Sequence, residues 1–374
     1  MSFLDRVFGS GQPLSYGLKL DLRRLKAVAA NLGETKTSLE LKGLGRPDQV
    51  LHLNKRLGDR LFTCSARDRA GVASAFVAAD RALPRKVRET NSLSLPLEAQ
   101  EALATGCSSL GRTLTDEQLK AIHAHLKSKR LLLCHDAHIR SDGVGSLAEV
   151  PTGENYACYE YLDLWSSPRV LELATQDRIL DLAQAYLGCA PTLYSINAFW
   201  SLPDRQPHPY SQLFHRDWED YRSLVVFTLL TPVETPEEGA HYYVEASHEV
   251  GRFEGVLEAN GVSSADVESL LVRDGATIAP VAMRLFQGTA RRFDGRAGTS
   301  FCGDGYGLHR AVVPQTRPRL LLWFRFGNFY NQTMYKITMR SADRSAAQSV
   351  LRRIPQTPRH RYIFRYMIDA LEGV

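Results

Sequence analysis

The stretch LFHRDWEDYRSLVVFTLL at residues 213–230 places a histidine and an aspartate directly before an apolar run. In an extended strand, side chains two positions apart leave the backbone on the same face. We therefore expect His215 and Asp217 to point at one common position, where a single metal ion can contact both. The run SLVVFTLL is typical of a buried strand, so the pair would lie at the mouth of that strand.

A metal ion held by this pair needs a further ligand, and His309 in GDGYGLHRAVVP (303–314) is the candidate. Two histidines and one carboxylate form the facial triad that binds Fe(II) and leaves positions open for substrate and oxygen. A second group, His135, Asp136 and His138, has no further element to complete it. We interpret that group as a surface loop.

An arginine-bearing strand follows His309 in the sequence RPRLLLWFRF (317–326). Alternation places Leu320, Leu322, Phe324 and Phe326 on one face and Arg317, Arg319, Leu321, Trp323 and Arg325 on the other. An arginine in such a strand is costly to bury unless a carboxylate meets it. A cofactor with two carboxylates would supply that partner.

The sequence pattern changes near residue 190. After that point, strand-like runs alternate with Gly, Pro, Asp and Asn clusters, as in an all-β sandwich or barrel. These runs occupy 191–200, 223–233, 240–247, 276–283 and 319–329. The segment RRFDGRAGTSFCGDG (291–305) resembles a mobile flap over the barrel mouth.

Helical periodicity dominates the first half of the chain. We expect helices over 16–33, 70–83, 114–127 and 167–188, with Thr115 and Gln118 at capping-box spacing. Short strands are expected at 38–45 and 60–66.

Several of these pieces, in this order, resemble the phytanoyl-CoA dioxygenase family of Fe(II)/2-oxoglutarate oxygenases over residues 112–330. The matching pieces are LTDEQLKAIHAHLKSKRLLLC, DLAQAYLG, FHRDW, GAHYYVEASHE, GYGLHRAVVP and RPRLLL. The family's turn usually ends in Gly-Ser-His, and Ala246 stands where that glycine is common. The resemblance implies an α+β fold with a mainly β core, a double-stranded β-helix of the jelly-roll or cupin-like type. Flanking helices and an N-terminal α+β extension would complete it.

The resemblance also implies roles for individual residues. His215, Asp217 and His309 would coordinate Fe(II) as the catalytic centre, and Arg319 would pair with the distal carboxylate of 2-oxoglutarate. Weaker candidates for cofactor contacts are Tyr194, Ser195, Asn197 and Trp218. Candidates for substrate contacts are Arg310, Arg325 and His248, with surface ion pairs or a turn as the alternative interpretation.

The implied activity is hydroxylation of an unactivated C–H bond of a small molecule or biosynthetic intermediate by O2, with release of succinate and CO2. Two alternatives stay open. A cupin-type metal enzyme that does not use 2-oxoglutarate would not need Arg319, and a non-catalytic jelly-roll binding protein would need none of the three ligands.

Composition limits the partners. The chain has 374 residues, is 44% hydrophobic and carries a formal net charge of +5, which suits an anionic small-molecule substrate and does not by itself imply nucleic acid. No apolar run is long enough for a membrane span. The N-terminal residues lack the pattern of a secretory signal and the six cysteines show no CxxC pair, so we expect a cytoplasmic protein. The sequence does not specify an oligomeric state.

We place domain boundaries at residues 110 and 335. The segment 1–110 would be the extension of unknown role, 111–335 the double-stranded β-helix domain, and 336–374 a basic helical segment packed on the core.

Overall fold

Two antiparallel sheets form the centre of the computed structural model, which describes residues 14–33, 46–65, 68–90, 95–135, 138–203, 205–206, 211–271, 275–331 and 344–372. The larger sheet has the strand order β1-β9-β6-β11-β5-β4-β2-β3 and the smaller one the order β10-β7-β8. The strands are β1 (Cys107–Arg112), β2 (Leu131–His135), β3 (His138–Val144), β4 (Tyr156–Cys158), β5 (Thr192–Ser201), β6 (Ser223–Leu229), β7 (His241–Tyr243), β8 (Arg291–Phe293), β9 (Thr299–Gly303), β10 (His309–Ala311) and β11 (Arg319–Gly327).

Aromatic side chains fill the space between the two sheets. Phe301 of the larger sheet stacks on Phe293 of the smaller one, with 4.7 Å between ring centroids, and on its neighbour Phe227 at 5.0 Å. Trp323 lies 4.8 Å from Phe199 on the same inner face. This arrangement is the jelly-roll core that the sequence predicts, because the inner faces of both sheets supply one continuous apolar layer.

The alternation predicted for β11 is confirmed. Leu321 and Trp323 belong to the cluster between the sheets. The other face belongs to the main core beneath the helices. It carries Leu320, Leu322, Phe324 and Phe326. Since both faces are covered, the strand is apolar at almost every position, and Arg319 is enclosed with it at 4% exposure.

Helices precede, interrupt and follow the sheets. They are α1 (Tyr16–Asn31), α2 (Arg46–Thr63), α3 (Arg69–Ala79), α4 (Arg85–Arg88), α5 (Leu97–Thr105), α6 (Asp116–Lys127), α7 (Tyr161–Ser166), α8 (Pro168–Ala174), α9 (Asp177–Leu187), α10 (Val250–Ala259), α11 (Ser264–Ser269), α12 (Gly275–Phe286), α13 (Arg344–Arg353), α14 (Pro358–Ile363) and α15 (Arg365–Glu372). Thr115 and Gln118 form the predicted capping box of α6. Within the described residues, no helix is long and apolar enough to cross a membrane.

The two ends of the chain share one core with the larger sheet. Arg365 of α15 donates to Asp21 of α1 at 2.8 Å and to Thr192 of β5 at 2.6 Å, and its side chain is fully buried. Arg24 of α1 donates to the carbonyl oxygen of Ala190 at 3.0 Å. A boundary at residue 110 would fall inside β1, which pairs with β9 along its length. The N-terminal helices are therefore packed as part of the same body as the sheets.

Several sequence predictions differ from the structure. The helix expected at 167–188 is divided into α8 and α9. The strand expected at 60–66 is wrong for 60–63, which belong to α2, where Leu53, Leu57 and Leu61 are buried one turn apart. The strand expected at 276–283 is part of α12, whose Ile278 and Ala282 pack at the same spacing. The segment 291–305 is not a flap, because it forms β8 and β9 in the two sheets. The strand predicted at 38–45 lies outside the described residues.

Candidate metal centre

The predicted metal ligands come together where the two sheets meet. His215 and His309 form an antiparallel bridge with reciprocal backbone hydrogen bonds of 3.0 and 3.1 Å, and their rings lie 4.2 Å apart. The Asp217 amide donates to the Gly305 carbonyl at 2.8 Å, which fixes the aspartate beside the same loop. One ligand atom from each of the three side chains lies within 4.8 Å of the others. The backbone hydrogen bonds therefore hold the three side chains close together.

Each metal-facing histidine has its second ring nitrogen engaged by its own strand. Nδ1 of His215 lies 2.8 Å from the carbonyl oxygen of Leu213, and Nδ1 of His309 lies 2.8 Å from that of Gly307. A carbonyl only accepts, so each Nδ1 carries the proton and each Nε2 presents a lone pair. Both Nε2 atoms lie 3.7 Å from the Asp217 carboxylate. The ring orientations are those that metal-ligating histidines require.

The charge state of the set also suits a divalent cation. Burial, reinforced by the neighbouring His309, lowers the pKa of His215 from 6.5 to about 4, so its imidazole is neutral near pH 7. Burial opposes ionisation of Asp217, but His309, Arg325 and His215 together lower its pKa. The three side chains thus offer two imidazole nitrogens and one carboxylate.

Arg325 is held by carboxylates of the chain itself. Its Nη2 lies 3.4 Å from Asp217 Oδ2 and its Nε 3.0 Å from Glu219 Oε2. Burial and the neighbouring carboxylates nevertheless raise the pKa of Glu219 to about 8. The predicted substrate contact of Arg325 stays a prediction, and in the structure its guanidinium contacts the Asp217 carboxylate. Glu219 was not singled out from the sequence.

Arg319 lies at the far end of β11, opposite Ser201 of β5. Its guanidinium donates to the carbonyl of Gly239 and, at 2.8 Å, to Ser201 Oγ, while Nε is buried without a hydrogen-bond partner among the described residues. Gly239 has a φ of 99°, which a glycine adopts without strain. No ion pair of Arg319 with a carboxylate occurs in the described part of the chain, and burial lowers its pKa to about 10. A buried cation in this state is suited to an acidic ligand.

The candidates on β5 divide between its two faces. Ser195 donates to Asn197 at 2.7 Å, and both hydrogen bond with the Tyr161 hydroxyl. Asn197 pairs with Trp323 in the sheet, so this group lies on the inner face with the metal ligands. Tyr194 lies in the main core under the helices, where its hydroxyl hydrogen bonds with Glu219. The structure thus places Ser195 and Asn197, rather than Tyr194, on the side of the site.

Trp218 points away from its neighbour Asp217. Its ring packs edge-on against Tyr306 at 5.1 Å, and Arg69 of α3 lies over both rings, 3.8 Å from the Tyr306 centroid and 5.3 Å from that of Trp218. Arg69 also donates to the Asp220 carbonyl. Arg69 of α3 therefore contacts both loops that carry the candidate metal ligands. The predicted contact of Trp218 with the cofactor stays a prediction.

The other substrate candidates lie off the inner face. Arg310 follows His309 and faces the opposite side of β10, over the rings of Phe214 and Tyr242 at 5.2 and 5.3 Å. The ring of His248 lies against Gly106 and hydrogen bonds to the Leu103 backbone. Asp136 and the side chains of His135 and His138 lie outside the described part of the chain.

His241 is a site residue that the sequence analysis missed. It is 7% exposed on the inner face of β7, its ring stacks on His309 at 5.5 Å, and Phe227 lies 4.9 Å away. Burial, with the charges of His309, Arg319 and His215, lowers its pKa well below 6.5. Alternation along AHYYV, where Tyr243 also faces His309, is the signal that could have revealed it.

Comparisons with known proteins place this chain beside several solved structures. No protein-family model matches the chain, and no curated protein matches it. The non-heme alpha ketoglutarate dependent epimerase SnoN from nogalamycin biosynthesis is 15% identical, with a TM-score of 0.42 over 66% of this chain and 90% of that chain. HygX from Streptomyces hygroscopicus, with nickel and 2-oxoglutarate bound, is 14% identical, with a TM-score of 0.42 over 63% and 87%. The carbocyclase SnoK is 16% identical, with a TM-score of 0.40 over 64% and 86%.

Proposed function

We propose that this chain is an Fe(II)- and 2-oxoglutarate-dependent oxygenase that hydroxylates a C–H bond of a small molecule or biosynthetic intermediate. One observation carries the proposal. The inner face that assembles His215, Asp217 and His309 also ends in a buried arginine, Arg319, without a carboxylate partner in the described residues. The three side chains would hold a metal ion, and the buried arginine would bind an acidic group.

The three ligands fit Fe(II). Two imidazoles and one carboxylate on one side of an ion leave the opposite positions free for further ligands. Arg325 supports the arrangement because its contact with Asp217 Oδ2 leaves the other oxygen, Oδ1, on the side of His215. Such outer contacts fix the orientation of metal ligands and tune their affinity.

The environment of Arg319 fits one end of 2-oxoglutarate. A carboxylate can pair with the guanidinium through two parallel hydrogen bonds, and the buried Nε supplies a donor that no described residue uses. Phe227 and Phe301 line the interior beside His241, which gives the methylene groups of the ligand an apolar wall. Ser201 and Gly239 hold the guanidinium in place.

When bound, iron and 2-oxoglutarate supply the oxidising chemistry, in which O2 converts 2-oxoglutarate to succinate and CO2 and provides one oxygen atom for the substrate. The chain supplies binding and orientation. His215, Asp217 and His309 fix the position of the metal, Arg319 fixes the far carboxylate, and the aromatic layer keeps water out of the interior. Hydroxylation is the simplest outcome of placing a substrate C–H bond at the open side.

Two alternative functions use less of the site. Burying Arg319 costs free energy. A cupin-type metal enzyme that does not use 2-oxoglutarate would not need this arginine. A jelly-roll binding protein without catalytic activity would not need both Nδ1 atoms tied to backbone carbonyls so that both Nε2 atoms converge. The proposed oxygenase uses both features.

Formation of succinate tests the proposal without knowledge of the substrate. We expect the Fe(II)-loaded protein in air to convert 2-oxoglutarate slowly to succinate, measured by mass spectrometry. His309→Ala should abolish this conversion. The control is His125→Ala on α6, where the imidazole hydrogen bonds with the Asp163 carbonyl away from the metal ligands, and it should retain the conversion. Equal succinate from wild type and His309→Ala, or none from iron-loaded wild type, would contradict the proposal.

A further inference from the structure

His241 occupies the interior beside the metal ligands, and the proposed function gives it no role. It begins β7 and pairs in register with Ala311 of β10 and Phe293 of β8. Its ring contacts His309, Phe227 and, at 5.2 Å, Phe301. The ring therefore faces the space between the two sheets.

The hydrogen-bonding state of His241 differs from that of the metal ligands. Nδ1 of both His215 and His309 bonds to a backbone carbonyl, whereas Nδ1 of His241 is buried with no partner among the described residues. A buried polar atom left unpaired is destabilising, and native proteins keep few of them. His241 is also not one of the three residues whose ligand atoms converge on a metal position. An unpaired ring nitrogen that is not a metal ligand indicates a binding partner of another kind.

The position of His241 along the strands indicates which partner. Its neighbour across the sheet, Ala311, is two residues after the metal ligand His309. In the other direction, Gly239 precedes His241 by two residues and accepts a hydrogen bond from Arg319. His241 therefore lies between the metal ligands and the arginine. A ligand that reaches from one to the other passes beside its ring.

We propose that His241 is a binding residue for 2-oxoglutarate and donates an imidazole N–H to one of its oxygen atoms between the metal and Arg319. The inference rests on the proposed function and deepens it by adding a third anchoring point. It accounts for an imidazole in an apolar wall that includes Phe227, Phe301 and Phe293. A phenylalanine at position 241 would complete that wall but leave the ligand with one donor fewer.

Anaerobic calorimetry on the full chain tests the inference, with Fe(II) titrated first and 2-oxoglutarate second. We expect His241→Phe, which keeps the ring and removes the donor, to raise the Kd of 2-oxoglutarate about tenfold, equivalent to about 1.4 kcal/mol. The Kd of Fe(II) should stay within about twofold of wild type, because no metal ligand is changed. His241→Gln restores an N–H donor and should recover most of the affinity. Tyr242→Phe, on the opposite face of the same strand, is the matched control and should bind as wild type does.

The outcomes separate the inference from the proposed function. If wild type and His241→Phe bind 2-oxoglutarate equally well, the inference is wrong and the proposed function stands. If Fe(II) affinity falls together with 2-oxoglutarate affinity in both His241 variants, the residue supports the fold and the inference is again wrong. If wild type binds Fe(II) but not 2-oxoglutarate, the proposed function fails and the inference fails with it.

Discussion

Replacing Arg319 by methionine removes a buried charge and keeps most of the side-chain length. If the guanidinium is present to bind an acidic ligand, the substitution should weaken that ligand strongly and leave the ligand-free fold almost unaffected. If the guanidinium is present to hold the sheets together, the substitution should strongly destabilise the fold and leave ligand affinity almost unaffected. The contacts of Arg319 allow both the change in stability and the change in affinity to be calculated approximately.

Two contributions to the free energy of unfolding oppose each other in the ligand-free protein. Burial lowers the pKa of Arg319 from 12.5 to about 10. At about 1.4 kcal/mol for each tenfold change in a protonation equilibrium, keeping the cation here costs about 3 kcal/mol at any pH below 10. The variant relieves this cost but loses the hydrogen bonds to Gly239 and Ser201, worth about 1.5 kcal/mol each. We therefore expect a net change within about 1 kcal/mol of zero.

The effect on 2-oxoglutarate is expected to be much larger. Truncating one partner of a buried, hydrogen-bonded charge pair costs about 2–5 kcal/mol, so the Kd should rise at least about thirtyfold. Denaturant titration measures the stability and anaerobic calorimetry the affinity. Arg317→Met is the matched control, because that arginine is exposed and pairs with Glu238 at the surface, where an ion pair contributes little. A loss of 3 kcal/mol or more in stability for Arg319→Met, with unchanged affinity, would refute the reasoning.

Other predictions concern stability. Arg365→Met leaves the buried Asp21 carboxylate without its partner at 2.8 Å, and denaturant titration should show a loss of about 3–5 kcal/mol, which Asp21→Asn should partly restore; a negligible loss would show that the pair is dispensable. Ala246 has a left-handed φ of 63°, so Ala246→Gly should raise the free energy of unfolding by about 1 kcal/mol, and a lower value would argue against strain at this turn. Burial raises the pKa of Asp369 to about 7 from 3.8, so its neutral form is favoured in the fold and stability is lost as pH rises from 4 to 7. Asp369→Asn should therefore stabilise the protein at pH 8 and change little at pH 4, and equal effects at both pH values would contradict this sign.

The features that the sequence predicts best follow from strand alternation. His215 and Asp217 are two residues apart and face the same position, as the spacing requires. The two faces of β11 separate as predicted, with Arg319 enclosed at the end of the inner one. The left-handed conformation of Ala246 fits the turn at which the resemblance expects a glycine. Each of these features depends on local geometry, which a strand imposes whatever surrounds it.

The features that the sequence did not predict depend on contacts between distant segments. The run at 276–283 is apolar enough for a strand, but it forms a helix whose Ile278 and Ala282 belong to one buried cluster with Phe253 and Leu257 of α10. The carboxylates that contact Arg325 are Asp217 and Glu219, 108 and 106 positions earlier in the chain, and no periodic pattern connects them with it. His241 becomes a site residue only because β7 pairs with β10. Short apolar runs and isolated polar residues are decided by tertiary packing.

The role of the N-terminal helices also emerges only from the structure. The sequence analysis left residues 1–110 without a role, yet Arg69 of α3 contacts the loops on both sides of the metal position through Tyr306 and the Asp220 carbonyl. These helices are expected to stabilise the metal centre rather than to act as a separate module. Loss of their packing should weaken metal binding together with the fold.

The most direct test of the central claim is anaerobic addition of 2-oxoglutarate to the Fe(II)-loaded protein, followed by visible spectroscopy. Chelation of the metal by the keto oxygen and the near carboxylate gives a metal-to-ligand charge-transfer band that neither component shows alone. We expect the band to appear and saturate at one 2-oxoglutarate per chain, and to be absent in His309→Ala. Iron that binds to His215, Asp217 and His309 without producing the band at any 2-oxoglutarate concentration would contradict the account and favour the cupin-type alternative.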